Sequence, residues 1–424
     1  MAGPFVLCLN AGSSSLKFKL YGVGSLTQLC SGLCERIGDA LGNFPNFHAT
    51  VSSPASSPAS SPTAVPAVDE RIELRDHAAA LRRVVRFLTG DLAIHPSDVV
   101  AVGHRVVMGG RRDAAVVVDE RVKKEIEEGA LLAPLHNPAN LLGIQAAEQA
   151  FPSARQVAVF DTAFHTSIPA RNRTYALPKS LNEKWGLAKY GFHGTSYRYL
   201  ANRVALQLGK AVDDCNLILM HLGAGASICA VKGGRSIDTS MGLSPTAGLV
   251  MATRSGDVDP SIVAFLVGKE RMSADEVERI LNGQSGLLGL CGKKDLRDVH
   301  EAARQGDGDA ELAIDVFVSR IRHFLASYFF QLEGRVDAIV FSAGVGEHDG
   351  EVRRRVLEGM GWAGVELDVD LNEKASGLAR IDTGAGSARA TRRSAPKRTT
   401  AQVWVIPTDE ELGIAEEVKM ILQA

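Results

Sequence analysis

FVLCLNAGSSSLKFKLY (residues 5–21) and LILMHLGAGASICAVKGG (residues 217–234) share one plan: an apolar strand, a polar residue, a turn of Gly, Ser and Ala, then a second strand. Each reads as a β-hairpin closed by small residues. Their starts lie about 210 residues apart, near half of the 424-residue chain. The echo predicts two related halves, each presenting one loop to a shared cleft. Two hairpins alike by chance are the alternative reading.

Around them, short β-branched runs alternate with longer helical patterns. Strands are expected at 5–9, 16–21, 99–102, 156–160, 216–220, 227–231, 336–341 and 402–406. Helix starts are expected at Asn137-Pro138, Asp259-Pro260, and the capping boxes Ser273 to Glu276 and Thr408 to Glu411. This alternation predicts an α/β protein.

Composition narrows the partners. Lys and Arg total 47 against 49 Asp and Glu, a formal charge of −2, so no global field favours nucleic acid or an anionic membrane. The N-terminal stretch lacks a basic region ahead of its apolar run, and no segment reaches the roughly 18 apolar residues of a membrane span. The six cysteines include no C-x-x-C pair. A soluble cytoplasmic protein with reduced thiols is expected, with neither nucleic acid nor membrane as partner. Two segments break the globular texture: SSPASSPASSP at 52–62 and TGAGSARATRRSAPKRTTA at 383–401. Both read as solvated loops, with phosphorylation of the first or an acidic partner for the second as alternatives.

The first loop, Asn10-Ala11-Gly12-Ser13-Ser14-Ser15-Leu16-Lys17, lets backbone N–H groups and hydroxyls approach phosphate oxygens, and Lys17 adds a positive charge. It lacks the spacing of a Walker A loop. The second loop, His221-Leu222-Gly223-Ala224-Gly225, and a third, Ser342-Ala343-Gly344-Val345-Gly346-Glu347-His348, also follow apolar strands. Glycine-bearing turns at strand ends are how an open α/β sheet lines a ligand crevice. No G-x-G-x-x-G opens a helix with an acid about 20 residues on, which disfavours a nicotinamide dinucleotide.

Polar residues gather in Gly103-His104-Arg105, Pro134-Leu135-His136-Asn137-Pro138, Asp161-Thr162-Ala163-Phe164-His165, Tyr190 to Ser196 and Met251 to Asp257. Singly, each His or Arg reads as a surface or satisfied structural residue. Together they supply what phosphoryl transfer needs: cations to spread negative charge and carboxylates to hold Mg2+. Asp161 is either a functional carboxylate at a strand end or the cap of the next turn. Glu411 reads as the N3 partner of a Thr408 cap, leaving Glu410 as the freer oxygen ligand.

NAGSSSLK, GHRVV, LAPLHNP, VFDTAFH, YGFHGTS, MGLSP, TRSGDVDP, SGLLG, FSAGVGE and PTDEEL, in this order, resemble the acetate kinase family over nearly the whole chain. The resemblance implies a duplicated ribonuclease-H-like fold, as in actin and sugar kinases, with two domains facing a central cleft. Residues 1–163 completed by a C-terminal helix at 408–424 would form one domain, and 164–407 the other. It also implies a homodimer and reversible, Mg2+-dependent transfer of the ATP γ-phosphoryl group to acetate, giving acetyl phosphate and ADP; Mn2+ is a candidate substitute.

Carried over by residue, Asn10 and Glu410 would hold the metal, and Gly12, Ser13, Ser15 and Lys17 would lie at the phosphates. His221, Leu222, Gly223, Ala224 and Gly225, with Asp295, Leu296, Arg297, Gly344, Val345, Gly346, Glu347 and His348, would hold the nucleotide. Arg105 would grip the acetate carboxylate, with Val107, Leu135, Phe192 and Pro245 around its methyl group and His136 beside them. Asp161, His193 and Arg254 would act in catalysis. Ala224 and His348 stand where the family commonly has Asn, and Thr246-Ala247-Gly248 replaces a usual Leu-Glu-Gly. These departures leave a pyrophosphate-using relative open as to donor, while a propionate-preferring relative is the rival as to acceptor. A chaperone-like regulatory ATPase is the rival of another class.

Overall fold

The computed structural model describes residues 3–12, 14–38, 46–52, 65–134, 136–384 and 401–423. Ser13, Leu135, residues 53–62 of the Ser/Pro segment and 385–400 of the basic segment lie outside the described residues. Contacts divide the chain into two compact units, Met1–Ala163 with Asp409–Ala424, and Phe164–Thr408.

The strands of the first unit are β1 (Phe5–Ala11), β2 (Ser15–Gly22), β3 (Gln28–Glu35), β4 (Asn46–Val51), β5 (Val65–Arg71), β6 (Val99–Val106), β7 (Val116–Val117) and β8 (Arg155–Phe160). They form one sheet in the order β5-β4-β3-β2-β1-β6-β8-β7. β1 is antiparallel to β2 and parallel to β6, which is parallel to β8. A strand covered on both faces reads as an unbroken apolar run, and β1 does. Phe5, Leu7, Leu9 and Ala11 enter one core with Ala80, Leu81, Val84 and Ala147, from helices His77–Arg86 and Asn137–Ala150. Val6 and Cys8 enter the other with Ile414, Ala415 and Val418 of helix Glu410–Gln423. Gly103 on β6 permits that helix to seat closely, since a Cβ there would lie 2.6 Å from Ile414 Cγ2 and 2.7 Å from Val418 Cγ2.

The second unit contains β9 (Asn216–Leu222), β10 (Ala226–Lys232), β11 (Arg235–Thr239), β12 (Ala338–Ser342), β13 (Ala379–Arg380) and β14 (Gln402–Val405), in the order β11-β10-β9-β12-β14-β13. β9 is antiparallel to β10 and parallel to β12, which is parallel to β14. The runs β3-β2-β1-β6-β8 and β11-β10-β9-β12-β14 therefore repeat one order with one pattern of strand directions. The two hairpins singled out in the sequence occupy the same place in that repeat.

Three local expectations need correction. The third glycine segment is not a turn: β12 leads directly into a short helix, Ala343–His348, through Ala343 at φ +63°. Asn137 does not cap its helix, because its buried amide bonds Met108 and Ile126 instead, and His136 stands at the cap position. At the start of Glu410–Gln423 the Leu412 amide is met by Asp409 Oδ1 at 2.9 Å, while the Thr408 hydroxyl bonds Ser196. Asp259 and Ser273 cap their helices as expected, the latter in a full capping box.

Candidate active site

In the first unit the parallel neighbours β1, β6 and β8 bring Asn10, Arg105 and Asp161 to the carboxyl ends of three adjacent strands, where open α/β sheets gather ligand groups. Asp161 is almost fully buried and takes two hydrogen bonds from Arg105 Nε, at 3.1 and 3.0 Å, and one from Nη2 at 2.6 Å. Arg105 Nη1 also donates to Asn10 Oδ1 at 3.3 Å and lies 3.9 Å from Glu410 Oε2, to which Asn10 Nδ2 donates at 3.4 Å. Burial alone would weaken the Arg105 cation, but the carboxylates of Asp161 and Glu410 outweigh it and raise its pKa. The residue expected to grip a substrate carboxylate thus already holds a protein carboxylate in this geometry.

The surrounding loops are fixed by buried amides. Asn140 accepts from Val107 N at 3.1 Å and donates to the Ala11 carbonyl at 2.8 Å. His77 Nε2 lies 2.7 Å from the Gly12 carbonyl, and Gly12 N donates to the Ser15 carbonyl at 2.8 Å. Val107 is buried, whereas Lys17 is exposed on β2 in register with Asn10. His136 lies at the start of helix Asn137–Ala150. Asn10 Oδ1 and the Glu410 carboxylate are hard oxygen donors, suited to Mg2+, an ion that keeps several waters and phosphate oxygens in its shell. Among the described residues no group of three or more His, Cys, Asp or Glu could hold a metal.

In the second unit Gly225 closes the β9–β10 hairpin, and a Cβ there would lie 3.4 Å from Arg254 Nη1 and 3.7 Å from His193 Nε2. An arginine and an imidazole therefore converge on a spot kept clear by a glycine. His193 stacks on His221 with ring centroids 4.1 Å apart, and its Nδ1 lies 2.8 Å from Ser227 Oγ. Arg254 donates to the Pro245 carbonyl at 3.3 Å. Its loop is tied to the Ser285-Gly286-Leu287 segment, where Leu287 N donates to the Met251 carbonyl at 2.9 Å. At Gly286, φ is +62° and a Cβ would fall 2.1 Å from the Met251 carbonyl oxygen, so the loop needs glycine there. Phe192 is buried beside His193.

A pocket of about 1420 Å³ opens next to these groups, lined by Gly223, Ala224, Gly225, Asp295, Leu296, Arg297, Gly344, Val345 and His348, with Arg254 at its edge. Leu222 is buried in its strand, and Gly346 packs behind the pocket wall against Phe341. Glu347 turns away, its Oε1 accepting from Thr408 N at 3.3 Å. Asp295 caps helix Leu296–Arg304, and hydrogen bonds from the Arg297 side chain and backbone lower its carboxyl pKa to about 2. Sequence reasoning does not assign Gly286, Ser227, Tyr197 or Asn140 to the site. For Gly286 the SGLLG motif was a usable signal, whereas the others are ordinary residues until long-range contacts reveal them.

Residues 5–416 match the model of the Acetokinase family. An acetate kinase of Clavibacter sepedonicus is 45% identical over 418 residues, covering 98% of each chain. The crystal structure of Porphyromonas gingivalis acetate kinase matches with a TM-score of 0.85 at 36% identity, over 99% of this chain and 100% of that one. A propionate kinase from Francisella tularensis subsp. tularensis SCHU S4 matches with a TM-score of 0.84 at 37% identity, over 98% of each. A repeated sheet of actin and sugar-kinase type, matched over its full length by these enzymes, leaves one conclusion: the chain belongs to the acetokinase family of phosphotransferases with a carboxylate acceptor.

Proposed function

We propose that the protein is an acetate kinase, moving the γ-phosphoryl group of ATP reversibly to acetate by direct in-line attack. The observation that carries the reading is the gap at Gly225, faced by Arg254 Nη1 and His193 Nε2. A carboxylate is already a nucleophile and needs no general base, so the protein has to align two anions and neutralise the charge that develops. Arg254 and His193 donate to the transferring phosphoryl oxygens. Arg105 gives up part of its pairing with Asp161 to hold the acetate carboxylate, and Asp161 keeps the guanidinium oriented. The residues that the family resemblance implies for the methyl group are Val107, Leu135, Phe192 and Pro245, with His136 as a further polar residue. Asn10 and Glu410 would hold Mg2+, or Mn2+ with the same oxygen donors, which would supply screening of the phosphate charge. Gly12, Ser13, Ser15 and Lys17 serve the phosphates.

The size of the pocket in the second unit favours a nucleotide over pyrophosphate, because a bare diphosphate would leave the stretch from Asp295 to Arg297 uncontacted. The division into two compact units supports a reading of two domains, 1–163 with the C-terminal helix and 164–407. A homodimer is supported by helix Pro260–Lys269, which buries none of its residues although Ile262, Phe265 and Val267 are 43, 59 and 40% exposed. Cytoplasmic residence suits six free thiols.

Trapping acyl phosphate with hydroxylamine, while varying acceptor (acetate, propionate, butyrate) and donor (ATP, GTP, pyrophosphate), tests the reading. Hydroxamate should form fastest with acetate and ATP. A propionate optimum would move the assignment to the neighbouring specificity, and no hydroxamate with any pair would refute the kinase reading.

A further inference from the structure

We infer that Ser227 and Tyr197 are positioning residues that hold His193 as a neutral imidazole with its proton on Nε2, so that Nε2 is a fixed hydrogen-bond donor to the transferring phosphoryl group. The inference rests on the role proposed above for His193.

The chain of hydroxyls has one direction. Ser227 Oγ lies 2.8 Å from His193 Nδ1 and 2.5 Å from the Tyr197 hydroxyl, and both Ser227 and Tyr197 are fully buried. Burial pushes the Tyr197 phenol well above its usual range, with Cys229 adding to the shift, so Tyr197 keeps its proton. Buried, that proton needs an acceptor, and Ser227 Oγ lies within its reach. Ser227 then has one proton to give, and it goes to His193 Nδ1. A nitrogen that accepts carries no hydrogen, so the imidazole proton is on Nε2, the atom 3.7 Å from the Cβ position of Gly225.

The Arg254 guanidinium faces the same spot, and the His221 ring stacks at 4.1 Å with 23° between planes. The backbone fixes the ring from the other side. His193 sits at φ +60°, a left-handed conformation uncommon for a residue with a side chain. The preceding Phe192 carbonyl accepts from His165 Nε2 at 2.9 Å, and the other nitrogen of His165 lies 2.9 Å from Ser236 Oγ. Gly191 permits this packing, since a Cβ there would fall 2.6 Å from Thr239 Cγ2 and 2.7 Å from the His165 ring.

The experiment uses the full chain with 15N-labelled histidine. In wild type, the His193 resonances should report one neutral tautomer, protonated at Nε2. Ser227→Ala and Tyr197→Phe, the latter keeping the ring that packs, should lower kcat roughly three- to tenfold, the scale of one hydrogen bond, with KM for ATP and acetate unchanged. Ser227→Ala should also mix the tautomers. In a His193→Gln background, whose amide donates without help, adding Ser227→Ala should cost nothing further. Wild-type kcat and an unchanged tautomer in both Ser227→Ala and Tyr197→Phe, with His193→Ala inactive, would overturn the inference alone. Wild-type turnover in His193→Ala would instead overturn the role of His193 itself.

Discussion

The two hairpins share a scaffold and differ in what stands beside it. In the first unit Leu9 pairs with His104 on β6, and the next residues, Asn10 and Arg105, bond each other within a cluster of four charged or amide groups. In the second unit Met220 pairs with Phe341 and His221 with Ser342 on β12. Where one sheet has a buried His followed by Arg, the other has Phe followed by Ser. The duplicated strand order therefore fixes where side chains emerge, and the residue at the end of one neighbouring strand decides the chemistry. The first loop becomes part of an ion-pair cluster, and the second becomes a gap faced by an imidazole and an arginine.

This contrast predicts separable effects. Arg254→Ala removes a cation that faces a cleared spot, so turnover should fall by about 10³ or more while the thermal midpoint barely moves. Wild-type activity in a folded Arg254→Ala protein would break the proposed division of labour. Asp161→Ala should lower both, because it leaves the Arg105 guanidinium without its main partner; urea unfolding should show a loss of about 3 kcal/mol alongside lost turnover. A loss of turnover alone would mean that the cluster in the first unit is as structurally dispensable as the gap in the second. The smallest effect concerns His104, whose pKa burial lowers from 6.5 to about 4 despite its hydrogen bond to Gln156. A His depressed in the folded state takes up a proton on unfolding, so its contribution is intact above pH 6.5 and declines as pH falls towards 4. Roughly 1 kcal/mol should be lost by pH 5.5, and His104→Phe, copying the second unit, should flatten that slope.

Legibility in the sequence followed burial and locality. β1, β9 and β12 were readable because both faces are covered, which makes an apolar run, whereas Gln28–Glu35 and Arg235–Thr239 mix small and polar residues and went unseen. The cap at Glu410–Gln423 was misassigned because Thr408 and Asp409 are both good caps, and only the distant Ser196 hydroxyl shows where the Thr408 side chain goes. Asn10, Arg105, Asp161 and His193 announce themselves as polar residues after strands or glycines. Ser227 and Tyr197 do not, because their importance lies in partners 30 or more residues away.

Helix Glu410–Gln423 covers one face of the first sheet, yet it is synthesised after all of residues 164–408. Until then Val6, Cys8 and Val157 have no cover on that side, and Asn10 lacks Glu410. The first unit to leave the ribosome is thus the second to be finished, and the bond between Asn10 and Glu410 cannot form before residues 164–408 exist. Completion of the fold and onset of activity are coupled to the same late segment of chain.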